Sequence, residues 1–283
     1  MKIFLAKTAG FCMGVSLALK KMDDELKKKA DNSRIVTFGS IIHNPQVIED
    51  YRRQGVVQAT ALAELKQGDR VLIRAHGIPK ADEQKLASLG VTIIDATCPK
   101  VKRAQLGIAS MNAEGQNLLL FGEADHPEVQ GLLSYANSSA KVFGSLEEFD
   151  NLALDHGAVY FLASQTTQEI EQYRKIALRA EERLGYKPVI LNTVCTATRK
   201  RMQETTKLAR EVDLVVVVGG YASGNTRRLA EAVKNEGKKA LHIETPQDLD
   251  LNDLRGVKTI GLTAGASTPK YLIEATQKFL IDI

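Results

Sequence analysis

No apolar run in the chain approaches the roughly 18 residues that a bilayer-spanning helix needs, and the opening Met1-Lys2-Ile3-Phe4-Leu5-Ala6 is too short for a signal-peptide core. No membrane association is expected, and the cytoplasm is the default compartment. Cysteine is scarce: three residues, an odd number, cannot make a disulfide framework and suit a reducing compartment. None lies in the C-x2-C pair that marks many zinc sites. A one-sided charge is also missing, because the net charge is only +4 and Lys and Arg alternate with Asp and Glu on the predicted helix faces. That excludes a nucleic-acid-binding footprint and suits a small anionic ligand. No low-complexity or linker-like stretch interrupts the 283 residues, so the parts of the chain are expected to pack closely. The glycine-rich turns match neither G-x-G-x-x-G nor a Walker P-loop with its lysine.

What remains is a chain with 44% hydrophobic residues, enough for a substantial core. Apolar runs such as Ile35-Val36-Thr37-Phe38, Val71-Leu72-Ile73, Leu118-Leu119-Leu120-Phe121, Val159-Tyr160-Phe161-Leu162 and Leu214-Val215-Val216-Val217-Val218 alternate with helical patterns. This alternation predicts an α/β fold with mostly parallel sheets. The first helix is expected over about residues 14 to 30, ending in a lysine run suited to the negative end of the helix.

The cysteines sit in three similar turns: Thr8-Ala9-Gly10-Phe11-Cys12-Met13-Gly14, Asp95-Ala96-Thr97-Cys98-Pro99-Lys100 and Asn192-Thr193-Val194-Cys195-Thr196-Ala197-Thr198-Arg199. A strand-like run leads into each, and a Lys/Arg-rich helical pattern leads out. About 30 residues after each cysteine a strand delivers a first polar loop, at His43, His126 and Ser223, and about 70 residues after it a second, at His76, Thr166 and Ser267. The chain therefore reads as three similar small α/β units, residues 1–97, 98–194 and 195–283. Ligands of open α/β sheets bind beyond the carboxyl ends of the strands, where all nine positions are predicted to lie. An approximate threefold association would bring them to one central site.

A single free cysteine is commonly a small buried hydrophobe. Here each precedes a helix N-terminus, whose free N–H groups and dipole favour thiolate. Three thiolates in one place need a cation. A 4Fe-4S cluster held by three cysteines would leave one iron free for substrate. A structural zinc, which prefers four ligands, and a disulfide between two of the three stay open as alternatives. His43, His76 and His126 read singly as ordinary core or surface histidines. Together with Ser223, Asn225 and Ser267 they supply the donors of an anion pocket, for which a diphosphate is the natural occupant. Gly219-Gly220 and Ser223-Gly224-Asn225 read as a phosphate-cradling turn or as a generic glycine turn. Glu128, two residues after His126, is the carboxylate placed in the site as a proton donor, against the plain reading of a surface acid. His156 and His242 have no comparable setting.

Taken in order along essentially the whole chain, Gly10-Phe11-Cys12-Met13-Gly14-Val15, His43-Asn44, Ala75-His76-Gly77, Asp95-Ala96-Thr97-Cys98-Pro99, His126-Pro127-Glu128-Val129, Gln165-Thr166-Thr167, Asn225 and Ala264-Gly265-Ala266-Ser267 resemble the LytB/IspH family of 4-hydroxy-3-methylbut-2-enyl diphosphate reductases. These enzymes catalyse the last step of the methylerythritol phosphate route to isoprenoids. The resemblance implies a pseudo-threefold trefoil around one 4Fe-4S cluster per chain, ligated by Cys12, Cys98 and Cys195. It implies that the substrate hydroxyl meets the open iron, and that His43, His76, His126, Ser223, the Gly224 backbone, Asn225 and Ser267 hold the diphosphate. Thr166 would orient the hydroxyl, with Glu128 and His126 on the proton path. Electrons would come from a ferredoxin or flavodoxin-type donor. One loop departs from the family pattern, which often reads Lys-Asn-Ser-Ser-Asn where this chain has Tyr221-Ala222-Ser223-Gly224-Asn225. Two other readings remain: a cluster-bearing paralogue that reduces another allylic substrate, and a non-catalytic, metal-stabilised module that binds an anionic metabolite.

Overall fold

A computed structural model describes residues 1–28 and 33–283. Lys29 and Ala30, where the lysine run and the first helix were expected to end, lie outside the described residues. In chain order, β1 (Lys2–Leu5) leads to α1 (Met13–Lys27), followed by β2 (Ile35–Phe38), α2 (Pro45–Arg53), β3 (Val57–Ala59), β4 (Arg70–Ile73), α3 (Lys80–Ser88) and β5 (Thr92–Asp95). Next come α4 (Pro99–Ala113), β6 (Asn117–Phe121), α5 (Pro127–Leu133), β7 (Lys141–Phe143), α6 (Leu146–Asp150), β8 (Tyr160–Ser164), α7 (Ile170–Leu184) and β9 (Val189–Ile190). The chain closes with α8 (Thr196–Glu211), β10 (Leu214–Val218), α9 (Gly224–Asn235), β11 (Lys239–Ile243), β12 (Thr259–Ala264) and α10 (Lys270–Asp282).

The strands form three four-stranded sheets with one shared order: β3-β2-β4-β5, β7-β6-β8-β9 and β11-β10-β12-β1. Every recorded pairing is parallel, as the α/β expectation required. The order departs from the ranges 1–97, 98–194 and 195–283 in one respect, because β1 joins the C-terminal sheet. Lys2 to Leu5 pair with Thr259 to Leu262, and the ladder is extended at both ends by Lys2 N–H to the Lys258 carbonyl (2.9 Å) and Ala6 N–H to the Leu262 carbonyl (2.8 Å). The physical reason is that hydrogen-bond pairing, not chain order, assigns a strand to a sheet.

The chain groups into two compact units. The first comprises Met1–Ser16, Ile42–Gln54 and Thr196–Ile283 and contains the β11-β10-β12-β1 sheet. Helices cover both of its faces: Val216, Val218, Ile260 and Leu262 pack with Leu272, Ile273 and Leu280 of α10, while Val215 and Val217 pack with Leu208 of α8 and Leu229 and Val233 of α9. Burial on both faces is why β10 reads as an unbroken apolar run. The second unit comprises Leu17–Ile41 and Gly55–Cys195 and contains the other two sheets. There Val36, Phe38, Val71 and Ile73 pack on Leu86 of α3. Leu118, Leu120, Phe161 and Ala163 face Ala104 and Ile108 of α4 and Val129 and Leu132 of α5, and the opposite face meets Phe149, Tyr173 and Ile176. Each fully buried Leu, Val or Phe contributes about 1.5–3 kcal/mol of transfer free energy.

This topology determines where polar loops can gather. The chain leaves β2 for β3 on one side and β4 for β5 on the other, and β6 and β8 diverge in the same way. Such a divergence opens a crevice at the carboxyl ends of the two central strands. The corresponding position in the remaining sheet lies between β10 and β12. No helix among the described residues is long and apolar enough to cross a membrane.

Candidate functional site

The three cysteine turns are built alike. Cys12 N–H donates to the carbonyl of Ala266 (3.1 Å), Cys98 N–H to Ala75 (2.9 Å) and Cys195 N–H to Thr166 (2.8 Å). In each sheet the cysteine follows the edge strand beside the second central strand and is tied to that strand's outgoing loop, the loop that carries Ser267, His76 or Thr166. The sequence repeat grouped each cysteine with the loops that follow it in the chain; the hydrogen bonds instead group it with the neighbouring loop of its own sheet. Helices begin at the very next residue, at Met13, Pro99 and Thr196, so each cysteine sits at a helix N-terminus. Pro99 suits the first helical position, where an N–H would have no partner. Val15 N–H points at Cys12 Sγ (3.5 Å), in the manner of a capping acceptor. All three cysteines are half-buried and none is in a disulfide among the described residues. Cysteine sulfurs match the donor type of an iron-sulfur cluster.

In the second unit, the loops after β4, β6 and β8 place the expected acid. Glu128, 2% exposed, opens α5, and its carboxylate accepts from Thr166 N–H (2.5 Å) and Thr166 Oγ1 (3.0 Å). His126 caps the same helix, and its Nδ1 accepts from Glu128 N–H (3.1 Å). With Nδ1 an acceptor, the neutral ring carries its proton on Nε2 and presents a donor there. The His126 ring meets that of His76 edge to face, with centroids 5.3 Å apart. Because the Thr166 carbonyl receives Cys195 N–H, one residue ties the acid's position to the Cys195 turn.

In the first unit, the loops after β10 and β12 carry Ser223, Asn225 and Ser267. Ser223 caps α9, its Oγ accepting from Thr226 N–H (3.3 Å), so Gly224 and Asn225 open the helix with their N–H groups in the first turn. Asn225 is buried, and its Nδ2 finds no hydrogen-bond partner among the described residues. A buried donor without an acceptor costs about 1–3 kcal/mol, so this feature suits an anionic ligand. Ser267 Oγ donates to the His43 carbonyl (3.1 Å), fixing that loop's backbone. The glycines now have a packing reason. Gly219 has φ +147°, and a Cβ on Gly220 would lie 2.7 Å from the His43 carbonyl oxygen. Tyr221, in the departing loop, gives its N–H to Glu244 (2.8 Å) and its ring meets that of His242 at a tilt of 58°, with centroids 4.8 Å apart.

Sequence reasoning missed three supporting residues. His242 sits in β11, and its Nε2–H donates to the Gly219 carbonyl (2.9 Å); burial lowers its pKa. Arg201, buried on α8, donates from Nη1 to the carbonyls of Gly10 (2.9 Å) and Ala264 (2.8 Å). Glu204, one turn on, accepts from Lys7 N–H (2.8 Å), Thr8 N–H (2.8 Å) and Thr8 Oγ1 (2.6 Å). The signal for Arg201 was its helical spacing with Thr205 and Leu208, both buried.

The geometry can be set beside known proteins. The family described as "LytB protein" matches residues 3–281. A 4-hydroxy-3-methylbut-2-enyl diphosphate reductase of Oleidesulfovibrio alaskensis is 55% identical over 280 residues, covering 99% of each chain. The solved structure of the E-1-hydroxy-2-methyl-but-2-enyl-4-diphosphate reductase from Plasmodium falciparum superposes with a TM-score of 0.92 at 26% identity, over 99% of this chain and 87% of that one. A second solved structure, of (E)-4-hydroxy-3-methyl-but-2-enyl diphosphate reductase, the terminal enzyme of the non-mevalonate pathway, is 38% identical. Its TM-score is 0.70 over 100% of this chain and 99% of that one.

Proposed function

The chain belongs to the LytB protein family, and from that premise we propose that it reduces (E)-4-hydroxy-3-methylbut-2-enyl diphosphate to isopentenyl and dimethylallyl diphosphate, the last step of the methylerythritol phosphate pathway. The observation that carries this reading is the buried Glu128 carboxylate held by both the amide and the hydroxyl of Thr166, whose carbonyl in turn anchors Cys195. A binding module has no use for an acid engaged in this way beside a cysteine turn.

The reaction consumes two electrons and two protons. The allylic C–O bond breaks, one proton leaves with the oxygen as water, and the other adds at either end of the allylic system. A 4Fe-4S cluster held by Cys12, Cys98 and Cys195, one per chain, would relay the donor's electrons and offer an open iron for the hydroxyl. Thr166 Oγ1 orients that hydroxyl, and Glu128 delivers the proton that turns it into water. His126, with Nδ1 occupied by the Glu128 amide, offers Nε2–H to the diphosphate. His43, His76, Ser223, the Gly224 N–H, Asn225 and Ser267 complete the donor set. A ferredoxin or flavodoxin-type protein supplies the electrons one at a time. Three cysteines outside any disulfide among the described residues suit a reducing compartment, and the cytoplasm is the proposed location.

Anaerobic incubation with the diphosphate and a chemical one-electron reductant tests the proposal. Both five-carbon products are expected. Protein with its full iron complement that forms neither would overturn the assignment.

A further inference from the structure

The stretch between β1 and α1 that leads to Cys12 is irregular, and several of its backbone groups are satisfied by side chains rather than by a sheet or helix. Lys7 N–H and Thr8 N–H go to separate carboxylate oxygens of Glu204, each at 2.8 Å, and the Gly10 carbonyl receives Arg201 Nη1 at 2.9 Å. Thr8 Oγ1 adds a third bond to Glu204. Both side chains project from one face of α8, the helix that starts immediately after Cys195. Gly10 has φ +100°, a conformation that side-chain-bearing residues rarely adopt, and a Cβ there would lie a tight 3.1 Å from Ile273 Cδ1.

We infer that Glu204 and Arg201 are positioning residues that hold the β1–α1 turn in the shape that presents the Cys12 thiol. This rests on the reading of Cys12 as a cluster ligand. Ordinary ion pairing on the same helix looks different: Arg210 meets Glu236 at 2.6 Å on an exposed surface, carboxylate to guanidinium, with no turn involved. Glu204 instead spends both oxygens on backbone and hydroxyl donors, and Arg201 spends one nitrogen on two carbonyls. The helices after the other cysteines back a turn in simpler ways. Lys21 of α1 donates to the Asp95 carbonyl, three residues before Cys98, and Gly107 of α4 faces Leu191, four residues before Cys195, closely enough that a Cβ on it would lie 3.4 Å from Leu191 Cδ1. At the Cys12 turn the backing consists of charge-assisted hydrogen bonds to the backbone, which are stronger and more directional.

The test uses anaerobically purified holoprotein carrying Glu204→Ala, Glu204→Gln, Thr8→Ala or the Thr8→Ala/Glu204→Gln pair, with Glu236→Gln as a surface control. The readouts are iron release to a chelator, the electron paramagnetic resonance signal of the reduced protein, kcat and KM, and amide exchange at residues 7 and 8. Glu204→Ala is expected to release iron about tenfold faster, alter the resonance signal and lower kcat about tenfold with KM within about twofold, consistent with loss of charged hydrogen bonds. Amide exchange at 7 and 8 should accelerate at least as much. Glu204→Gln should restore part of each effect, Glu236→Gln should match wild type, and the Thr8/Glu204 pair should be non-additive. Wild-type iron release and an unchanged signal in Glu204→Ala would overturn the inference. If Glu204→Ala does not fold, additivity in the Thr8/Glu204 pair would overturn it and coupling would support it. Wild-type protein without iron would instead sink the reading of Cys12 as a ligand, and unchanged exchange at residues 7 and 8 would remove the positioning role on its own.

Discussion

Beyond β6 and β8, Glu128 accepts two hydrogen bonds from Thr166 and gives its own amide to His126, so these three residues are bonded to one another, although the neighbouring Gln165 Nε2 is buried without a partner among the described residues. Beyond β10 it is the candidate ligand-binding side chain itself that is left open, with the Asn225 amide nitrogen buried and no acceptor for it among the described residues. Both loops sit at equivalent places in sheets of identical strand order. The topology therefore sets where the loops are, and the side chains set what each can do. The first holds an acid in one preset geometry before any ligand arrives. The second keeps a donor unsatisfied, at a cost of about 1–3 kcal/mol that an anion would remove.

The largest way to break the contrast is Glu128→Gln, which keeps the shape but cannot deliver a proton. Turnover should fall about 100- to 10,000-fold, the range of general acid catalysis, with KM changed little in steady-state assays. Unchanged turnover would take Glu128 out of the mechanism. Asn225→Ala comes next: diphosphate binding should weaken about tenfold or more for a lost hydrogen bond to a charged group. The melting temperature should hold or rise, because the variant removes an unsatisfied buried donor. A lower melting temperature with unchanged binding would make Asn225 a structural residue. Thr166→Val keeps the amide bond to Glu128 and loses the hydroxyl one, and denaturant titration should show a loss of about 0.5–1.5 kcal/mol.

The smallest effect concerns acid stability. Burial raises the pKa of Glu204, but the Thr8 hydroxyl and the amides of Lys7 and Thr8 outweigh it and leave the group below its usual value. A carboxyl depressed in the folded state stabilises above its unfolded pKa, about 4.3, and that contribution disappears as pH falls through the folded value. Glu204→Gln should therefore narrow the stability difference between pH 6 and pH 3, measured by urea unfolding. A slope equal to wild type would show that these bonds do not favour the ionised form.

The cysteine turns and the polar loops could be read from the sequence because each follows an apolar run long enough to be a strand, and spacing survives even where residue identity does not. The sheet to which β1 belongs could not. Ile3-Phe4-Leu5 would fit the edge of any parallel sheet, and only its register with Ile260-Gly261-Leu262 decides. Arg201 and Glu204 were hidden inside a helix rich in Lys and Arg, where a buried guanidinium looks like another solvated charge until its neighbours Thr205 and Leu208 are seen to be buried too. His242 was hidden by its strand, since its partner, the Gly219 carbonyl, belongs to the end of the adjacent strand.

All of these loops matter to the proposed chemistry only if Cys12, Cys98 and Cys195 serve together. The most direct measurement is iron and acid-labile sulfide per chain, after anaerobic purification, in wild type and in Cys12→Ser, Cys98→Ser and Cys195→Ser. Wild type should carry about four of each, and every single variant should lose the intact cluster. A full four-iron content in all three variants would contradict shared ligation.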